Sequence, residues 1–223
     1  MKNNLIIIPS RMQSKRLPGK PLLDIEGIPM VIRVAKQAIK SNVGLVYIAC
    51  CDKEVYNTAI NFGINVIMTN PNHNSGTDRI YEAFKNIDNS NKIDTIINLQ
   101  GDMPTISSNI IRELVKLKET IPSDIYTLVN EINDENDKLD KDIVKVVLSV
   151  NKNEKYGRAL YFSRSLIPYG KGPVYHHIGI YAYSRDSLEK FISLKPSNLE
   201  KRESLEQLRA LEANMDITVS IVE

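Results

Sequence analysis

At 223 residues with 42% hydrophobic content, the chain can bury a substantial core and is not disordered as a whole. Its 29 Lys and Arg residues against 27 Asp and Glu leave a net charge of +2, which argues against a broadly cationic nucleic-acid surface. The apolar run before Pro9 is too short for a signal-peptide core and no later stretch has the length of a membrane span, so no membrane insertion is expected.

In chain order, Leu5–Ile8 reads as a buried strand running into a loop, Pro9 to Leu22. Met30, Val31, Val34, Ala35, Ala38 and Ile39 then recur at helical spacing after Pro29, a residue favoured in the first helical turn. A strand over Leu45–Cys50 follows. The adjacent Cys50 and Cys51 point to opposite faces of it, which disfavours a disulfide and fits a reducing cytoplasm. Next come a helix over about Glu54–Phe62 closed by Gly63, a strand over Ile64–Met68, a helix over about Asp78–Ile87 and a strand over Thr95–Leu99. Strands that are continuous apolar runs, alternating with helices, predict a parallel twisted sheet with helices on both faces. The second half reads as a helix over about Asn109–Lys118 and a strand over Asp124–Ile132. An exposed polar loop over Asn133–Asp142 leads to strands over Ile143–Val150, Gly157–Ser163 and Tyr175–Tyr183. Helices around Ser187–Leu194 and Leu199–Glu212 and a strand over Ile217–Val222 close the chain. With no internal repeat or linker, a single α/β domain over 1–223 with a small embedded lobe is expected.

Three segments carry candidate chemistry. The opening loop holds Arg11, Lys15, Arg16 and Lys20 at a strand end, where open α/β sheets bind ligands; these cations suit a polyphosphate. It is not a P-loop: Ser14 stands where that pattern needs Gly, and Pro21 where it needs Ser or Thr. Gln100-Gly101-Asp102 follows another strand on the same sheet edge, and Asp102 is a candidate Mg²⁺ ligand, since Mg²⁺ takes one or two carboxylates plus substrate phosphates. Asn74-Ser75-Gly76-Thr77-Asp78-Arg79 opens a helix with a hydroxyl, a Gly and free backbone N–H groups, a setting that welcomes anions or nucleotide polar groups, or serves as a plain N-cap by Thr77.

Taken in order, Pro9-Ser10-Arg11 to Arg16-Leu17-Pro18-Gly19-Lys20-Pro21-Leu22, His73 to Arg79, and Gln100-Gly101-Asp102 resemble the cytidylyltransferase family that activates 3-deoxy-D-manno-octulosonate (Kdo). Gly157 to Arg164, His177 to Tyr183 and Leu205 to Glu212 resemble later motifs of that family, so the likeness runs from residue 5 to the end. The opening loop and Gln-Gly-Asp are shared with other sugar nucleotidyltransferases; the later motifs narrow the match.

The resemblance implies a three-layer Rossmann-like nucleotidyltransferase fold with a mostly parallel central sheet. Its nucleotide-binding half covers about 1–120, and a sugar-binding and dimerisation lobe about 121–223. It implies transfer of CMP from CTP to Kdo for lipopolysaccharide synthesis, with Mg²⁺ as cofactor, in a cytoplasmic homodimer. Arg11, Arg16 and Lys20 then hold the triphosphate and leaving pyrophosphate while Asp102 anchors Mg²⁺. Pro9, Ser10, Ser75, Gly76, Thr77, Asp78 and Gln100 contact the nucleotide, Gln100 also bordering the sugar. Arg164 suits the sugar carboxylate through its forked donors; His177 and Tyr181, four apart on one strand face, and Glu206 and Gln207, opening a helix, serve its hydroxyls.

The chain departs from the family pattern at Met103, where a Glu is usual, and at His176, where an Arg is common, so no ligand role passes to either. The family pattern continues past the position of Glu223 into a Gly-Val-Asp-Thr-type segment whose Asp is a second metal ligand. The expectation is that either the sequence omits that segment or this form is impaired. A sialic acid in place of Kdo, a UDP- or GDP-sugar pyrophosphorylase, and a nucleotide-binding regulator without turnover are the alternatives.

Overall fold

The computed structural model describes residues 3–13, 17–151 and 153–223, so Lys15 and Arg16 of the basic loop lie outside the described residues. The chain divides into two compact units, Met1–Arg112 and Glu113–Glu223.

The first unit opens with β1 (Asn4–Ser10), whose Leu5, Ile6, Ile7 and Ile8 are all fully buried. That burial explains the unbroken apolar run, since a strand covered on both faces has no solvent side to leave polar. A hairpin of β2 (Asp24–Ile25) and β3 (Ile28–Pro29) follows, turned by Glu26 at φ 52° and Gly27 at φ 80°. Two consecutive positive φ values are the geometry of a tight hairpin turn, which Gly at the second position makes accessible. Strands this short leave no period-2 signal, so the sequence does not mark the hairpin. α1 (Met30–Ser41) starts directly from it and buries Val31, Val34, Ala35 and Ala38 on one face. β4 (Leu45–Cys50), α2 (Lys53–Asn61), β5 (Val66–Met68), α3 (Gly76–Ile87) and β6 (Thr95–Leu99) complete the unit. Its strands stand in the order β5-β4-β1-β6, all parallel, with Ile6 paired to Val46 on one side and Ile97 on the other. Sequence order therefore runs outward from β1 in one direction and then reverses to β6. Both cysteines are free.

The division between the units falls in α4 (Ser108–Thr120). The second unit comprises β7 (Ile125–Glu131), α5 (Glu135–Leu139), β8 (Lys145–Val150), β9 (Tyr156–Ser163), β10 (Tyr175–Ser184), α6 (Arg185–Ser193), α7 (Asn198–Glu203), α8 (Leu208–Glu212) and β11 (Ile217–Val222). Among the described residues here, β7 and β11 pair in parallel, while β10–β7, β11–β9 and β8–β9 are antiparallel. β8 also pairs with β10 through Val146–Tyr175 and Lys145–His176, so the five strands close on themselves at that end. The architecture is thus mixed α/β, with parallel pairing dominant in the first unit alone.

Two further expectations change. The polar loop over Asn133–Asp142 contains the exposed helix α5, capped by the Asp134 side chain, which accepts from the Asn136 N–H at 2.8 Å. The helix expected over Leu199–Glu212 is two helices, because Ser204 adopts a left-handed conformation (φ 56°) that ends α7. Among the described residues, no helix is long and apolar enough to cross a membrane.

Candidate active site

A cleft of about 370 Å³ lies in the first unit, lined by the carboxyl end of β1 and the loop after it, by residues following β6 and by the start of α3. Strand order reverses between β1 and β6, and the carboxyl ends flanking such a reversal diverge and leave a crevice for ligand. Pro9, Ser10, Arg11, Lys20, Ser75, Gly76, Gln100 and Asp102 all line it, together with Pro21, Arg79 and Gly101. Gly101 allows a close approach: a Cβ there would sit 3.1 Å from the Pro9 carbonyl oxygen, so a larger residue would need that strand end to give by a few tenths of an ångström. Thr77 and Asp78 do not line the cleft. Thr77 is buried, and the Asp78 carboxylate accepts from both the Ser75 N–H and the Ser75 hydroxyl. Ser75, not Thr77, is the N-cap, in a reciprocal capping box that fixes the first turn of α3.

The basic loop is pinned at both described ends. The Gly19 N–H donates to the Met12 carbonyl (3.0 Å), and the Met12 N–H donates to the Asp52 carboxylate (2.9 Å) at the end of β4. Gly19 adopts φ 74°, which turns the chain into the short 3₁₀ segment Lys20–Leu22. Lys20 Nζ then reaches Asp102 Oδ2 at 2.8 Å, bringing together the two motifs that sequence placed on one sheet edge. With side chains 30% and 47% exposed, this pair contributes at most about 1 kcal/mol to stability, so its value is in presenting charge to the cleft.

Arg79 also lines the cleft, although the sequence reading gave it no role beyond closing the Asn74–Arg79 segment. It is 2% exposed, its Nη1 donates to Thr69 Oγ1 at 2.5 Å, and its Nη2 is buried with no hydrogen-bond partner among the described residues. The Ser10 hydroxyl, also in the cleft wall, is buried and unpartnered in the same way. An unmade hydrogen bond on a buried guanidinium costs a few kcal/mol, so such a group is expected to find its partner in a ligand. The signal was available: Arg79 falls four residues before Ala83 on the buried stripe of α3, where a surface cation does not belong.

Asp102 is the one carboxylate lining the cleft, and no cluster of three or more His, Cys, Asp or Glu side chains able to hold a metal exists among the described residues. That donor set does not suit a metal caged by protein alone. It fits Mg²⁺, which takes a single carboxylate and completes its shell with substrate phosphates and water.

Arg164, His177, Tyr181, Glu206 and Gln207, the residues expected to serve the sugar, belong to the second unit. Between Ile178 and Tyr181 the β10–β7 register shifts, Ile178 facing Leu128 and Tyr181 facing Thr127. Two residues are inserted there, so the alternation is preserved and the His177 and Tyr181 rings meet with centroids 5.2 Å apart. His177 is 7% exposed against Phe162, and its Nε2 lies 2.9 Å from Thr127 Oγ1. The Thr127 hydroxyl gives its proton to the Ile180 carbonyl at 2.7 Å, so it accepts from His177 Nε2–H. His177 is therefore the neutral Nε2–H tautomer with Nδ1 as its acceptor. Burial, and then neighbouring His176, lower its pKa to about 3. Burial and the charge of Glu206 push the Tyr181 hydroxyl well up, which keeps it protonated. Gln207 is buried at the N-cap of α8, and Glu206, just before it, lies 3.8 Å from Arg209, itself held by Glu200 at 2.6 Å. Arg164 follows β9. Its Nε donates to the Glu203 carbonyl and Nη1 to the Lys141 carbonyl, leaving Nη2 outside these bonds.

Comparison with known proteins gives these arrangements a family. The cytidylyltransferase family model matches residues 5–217. A 3-deoxy-manno-octulosonate cytidylyltransferase of Rhizobium etli is 51% identical over 98% of this chain and 87% of its own length. One of Paramagnetospirillum magneticum is 46% identical over 98% and 89%. The solved structure of a CMP:2-keto-3-deoxy-manno-octonic acid synthetase complexed with CTP superposes with a TM-score of 0.88 at 38% identity, covering all of this chain and 90% of that one. The chain belongs to the cytidylyltransferase family, and within it to the 3-deoxy-manno-octulosonate cytidylyltransferases.

Proposed function

We propose that the chain transfers CMP from CTP to Kdo, giving CMP-Kdo and pyrophosphate for lipopolysaccharide synthesis. The observation that carries this reading is the cleft at the strand-order reversal. It presents Arg11 and Lys20 beside the Asp102 carboxylate, with the Arg79 Nη2 and Ser10 hydroxyl groups buried in its wall without a hydrogen-bond partner among the described residues. The Kdo anomeric hydroxyl attacks the α-phosphorus of CTP, the new O–P bond replaces the bond to pyrophosphate, and the proton leaves to solvent. No protein nucleophile is needed, because such transfers depend on positioning and charge stabilisation. Arg11 and Lys20 neutralise the triphosphate and departing pyrophosphate; Arg16 joins them in this proposal although it lies outside the described residues. Asp102 would hold Mg²⁺, which supplies charge neutralisation at the phosphates when bound. Arg79 Nη2 and the Ser10 hydroxyl suit the base, since cytosine offers carbonyl and ring-nitrogen acceptors, while the Ser75–Gly76 turn and Gln100 line the nucleoside.

In the second unit, Arg164 Nη2 meets the Kdo carboxylate, and His177, Tyr181, Glu206 and Gln207 serve its hydroxyls. The arrangement that goes with this function is a three-layer Rossmann-like fold, its nucleotide-binding half over about 1–120 and its sugar-binding lobe over about 121–223. A cytoplasmic location and a homodimer complete the reading, the exposed Leu160 and Leu166 offering the second unit apolar surface for association. An acceptor exchange tests the substrate: Kdo should support pyrophosphate release from CTP, whereas turnover with N-acetylneuraminate alone would redirect the assignment to a sialic acid.

A further inference from the structure

Lys145 is the most unusual charged residue outside the cleft. It begins β8 at 0% exposure, among the largest fully buried side chains of the protein. A buried ammonium is tolerated only when its donors are satisfied, and all three of its N–H groups are: they go to the carbonyls of Asp140, of Ile143 at 2.8 Å and of Arg164 at 3.1 Å. With every donor spent on backbone and no accessible surface, Lys145 cannot itself touch substrate.

What those carbonyls belong to gives Lys145 a role. One is Arg164's own. Two others fix the 140–143 turn, and the Lys141 carbonyl on that turn accepts from Arg164 Nη1 at 3.0 Å. The residue before Lys145 is Val144, whose carbonyl accepts the His177 N–H at 2.8 Å. From the other side, Glu203 accepts the Arg164 backbone N–H at 3.1 Å and the Ser163 hydroxyl at 2.9 Å, while its carbonyl takes Arg164 Nε. Arg164 is thus clamped at its backbone and at two of its three guanidinium nitrogens, and Lys145 sits under both the backbone and the turn.

We infer that Lys145 is a positioning residue for the acidic sugar: it fixes the Arg164 guanidinium so that Nη2 is aimed at the substrate carboxylate. This rests on the proposed function of Arg164. The ammonium acts as a rigid three-pronged peg between the 140–143 turn and the end of β9, and removing it frees the turn, and with it the acceptor that orients Arg164.

Lys145→Met removes the three donors at nearly constant volume. Steady-state pyrophosphate release should then show a KM for Kdo raised by about 10- to 100-fold, the scale of a misaligned substrate contact, with the KM for CTP unchanged. In an Arg164→Gln background the same substitution should add nothing to the Kdo KM, because the group it orients is gone. An unchanged Kdo KM, or an equal penalty in both backgrounds, would overturn the role. If Lys145→Met does not fold, judged by loss of CTP binding and of a cooperative melt, Lys145→Gln keeps two donors and is read by the same criteria. A wild type that turns over with other acceptors but not Kdo overturns the functional reading along with this one, whereas a wild type active with Kdo and matched by the Lys145 variant overturns the positioning role alone.

Discussion

Lys20, Asp102 and Arg79 divide the work of the cleft in a way that single substitutions can separate. Lys20 and Asp102 are partly exposed and contribute little to stability, so Lys20→Ala and Asp102→Ala should unfold at denaturant concentrations near that of the wild type. Each should nonetheless lose about 10²- to 10³-fold in turnover, the usual loss when one charge-stabilising group is removed; a variant retaining near-native kcat would leave the mechanism. Arg79 is different because its second nitrogen is buried with no hydrogen-bond partner among the described residues. Arg79→Gln should weaken CTP binding by roughly 10- to 100-fold, as expected for a lost hydrogen bond to a charged donor, measured calorimetrically without any acceptor sugar. His177 makes a pH prediction. Its pKa in the folded chain, about 3, lies below the ordinary histidine value, so the unfolded state binds the extra proton. Stability is then lost as pH falls from about 6.5 toward 3, by up to about 1.4 kcal/mol per pH unit. Between about pH 7 and pH 5 the wild type should lose about 2 kcal/mol relative to its own change in a His177→Asn variant. Parallel pH profiles of urea midpoints in the two proteins would show that His177 does not carry that term.

At the scale of elements, α3 depends on its capping box. Ser75→Ala removes the acceptor for the Asp78 N–H and the donor to its carboxylate, and should cost about 0.5–2 kcal/mol in a urea melt. Because the first turn of α3 lines the cleft, the same variant should also raise the KM for CTP. The strands and most helices of this protein are readable from sequence for a physical reason: β1, β4 and β6 are buried runs, and α1 and α3 keep a clean apolar stripe. The elements that escape such reading are those set by single backbone conformations. The positive φ values of Glu26 and Gly27 make the β2–β3 hairpin, and that of Ser204 splits the helix before Glu206 and Gln207. Neither leaves a periodic trace. The two-residue register shift in β10 is equally silent, and across it the His177 and Tyr181 rings still meet, tilted by 48° with centroids 5.2 Å apart.

For the whole molecule, the motifs at Arg11, Lys20 and Asp102 could be assigned to one sheet edge from sequence because strand topology dictates it. The supporting residues Asp52, Lys145 and Glu203 could not, since their roles arise from burial and from backbone groups distant in sequence; Arg79 left a trace only as a cation on the buried stripe of α3. Light scattering tests the proposed assembly: a homodimer gives twice the 25.2 kDa chain mass, and a single-chain mass at micromolar concentration contradicts it. The most direct test of the account is pyrophosphate release by the purified chain supplied with CTP, Kdo and Mg²⁺. One pyrophosphate and one CMP-Kdo should appear per CTP consumed, dependent on Kdo. Intact CTP binding with no release in the presence of Kdo would contradict it and favour a regulator that binds nucleotide without turning it over.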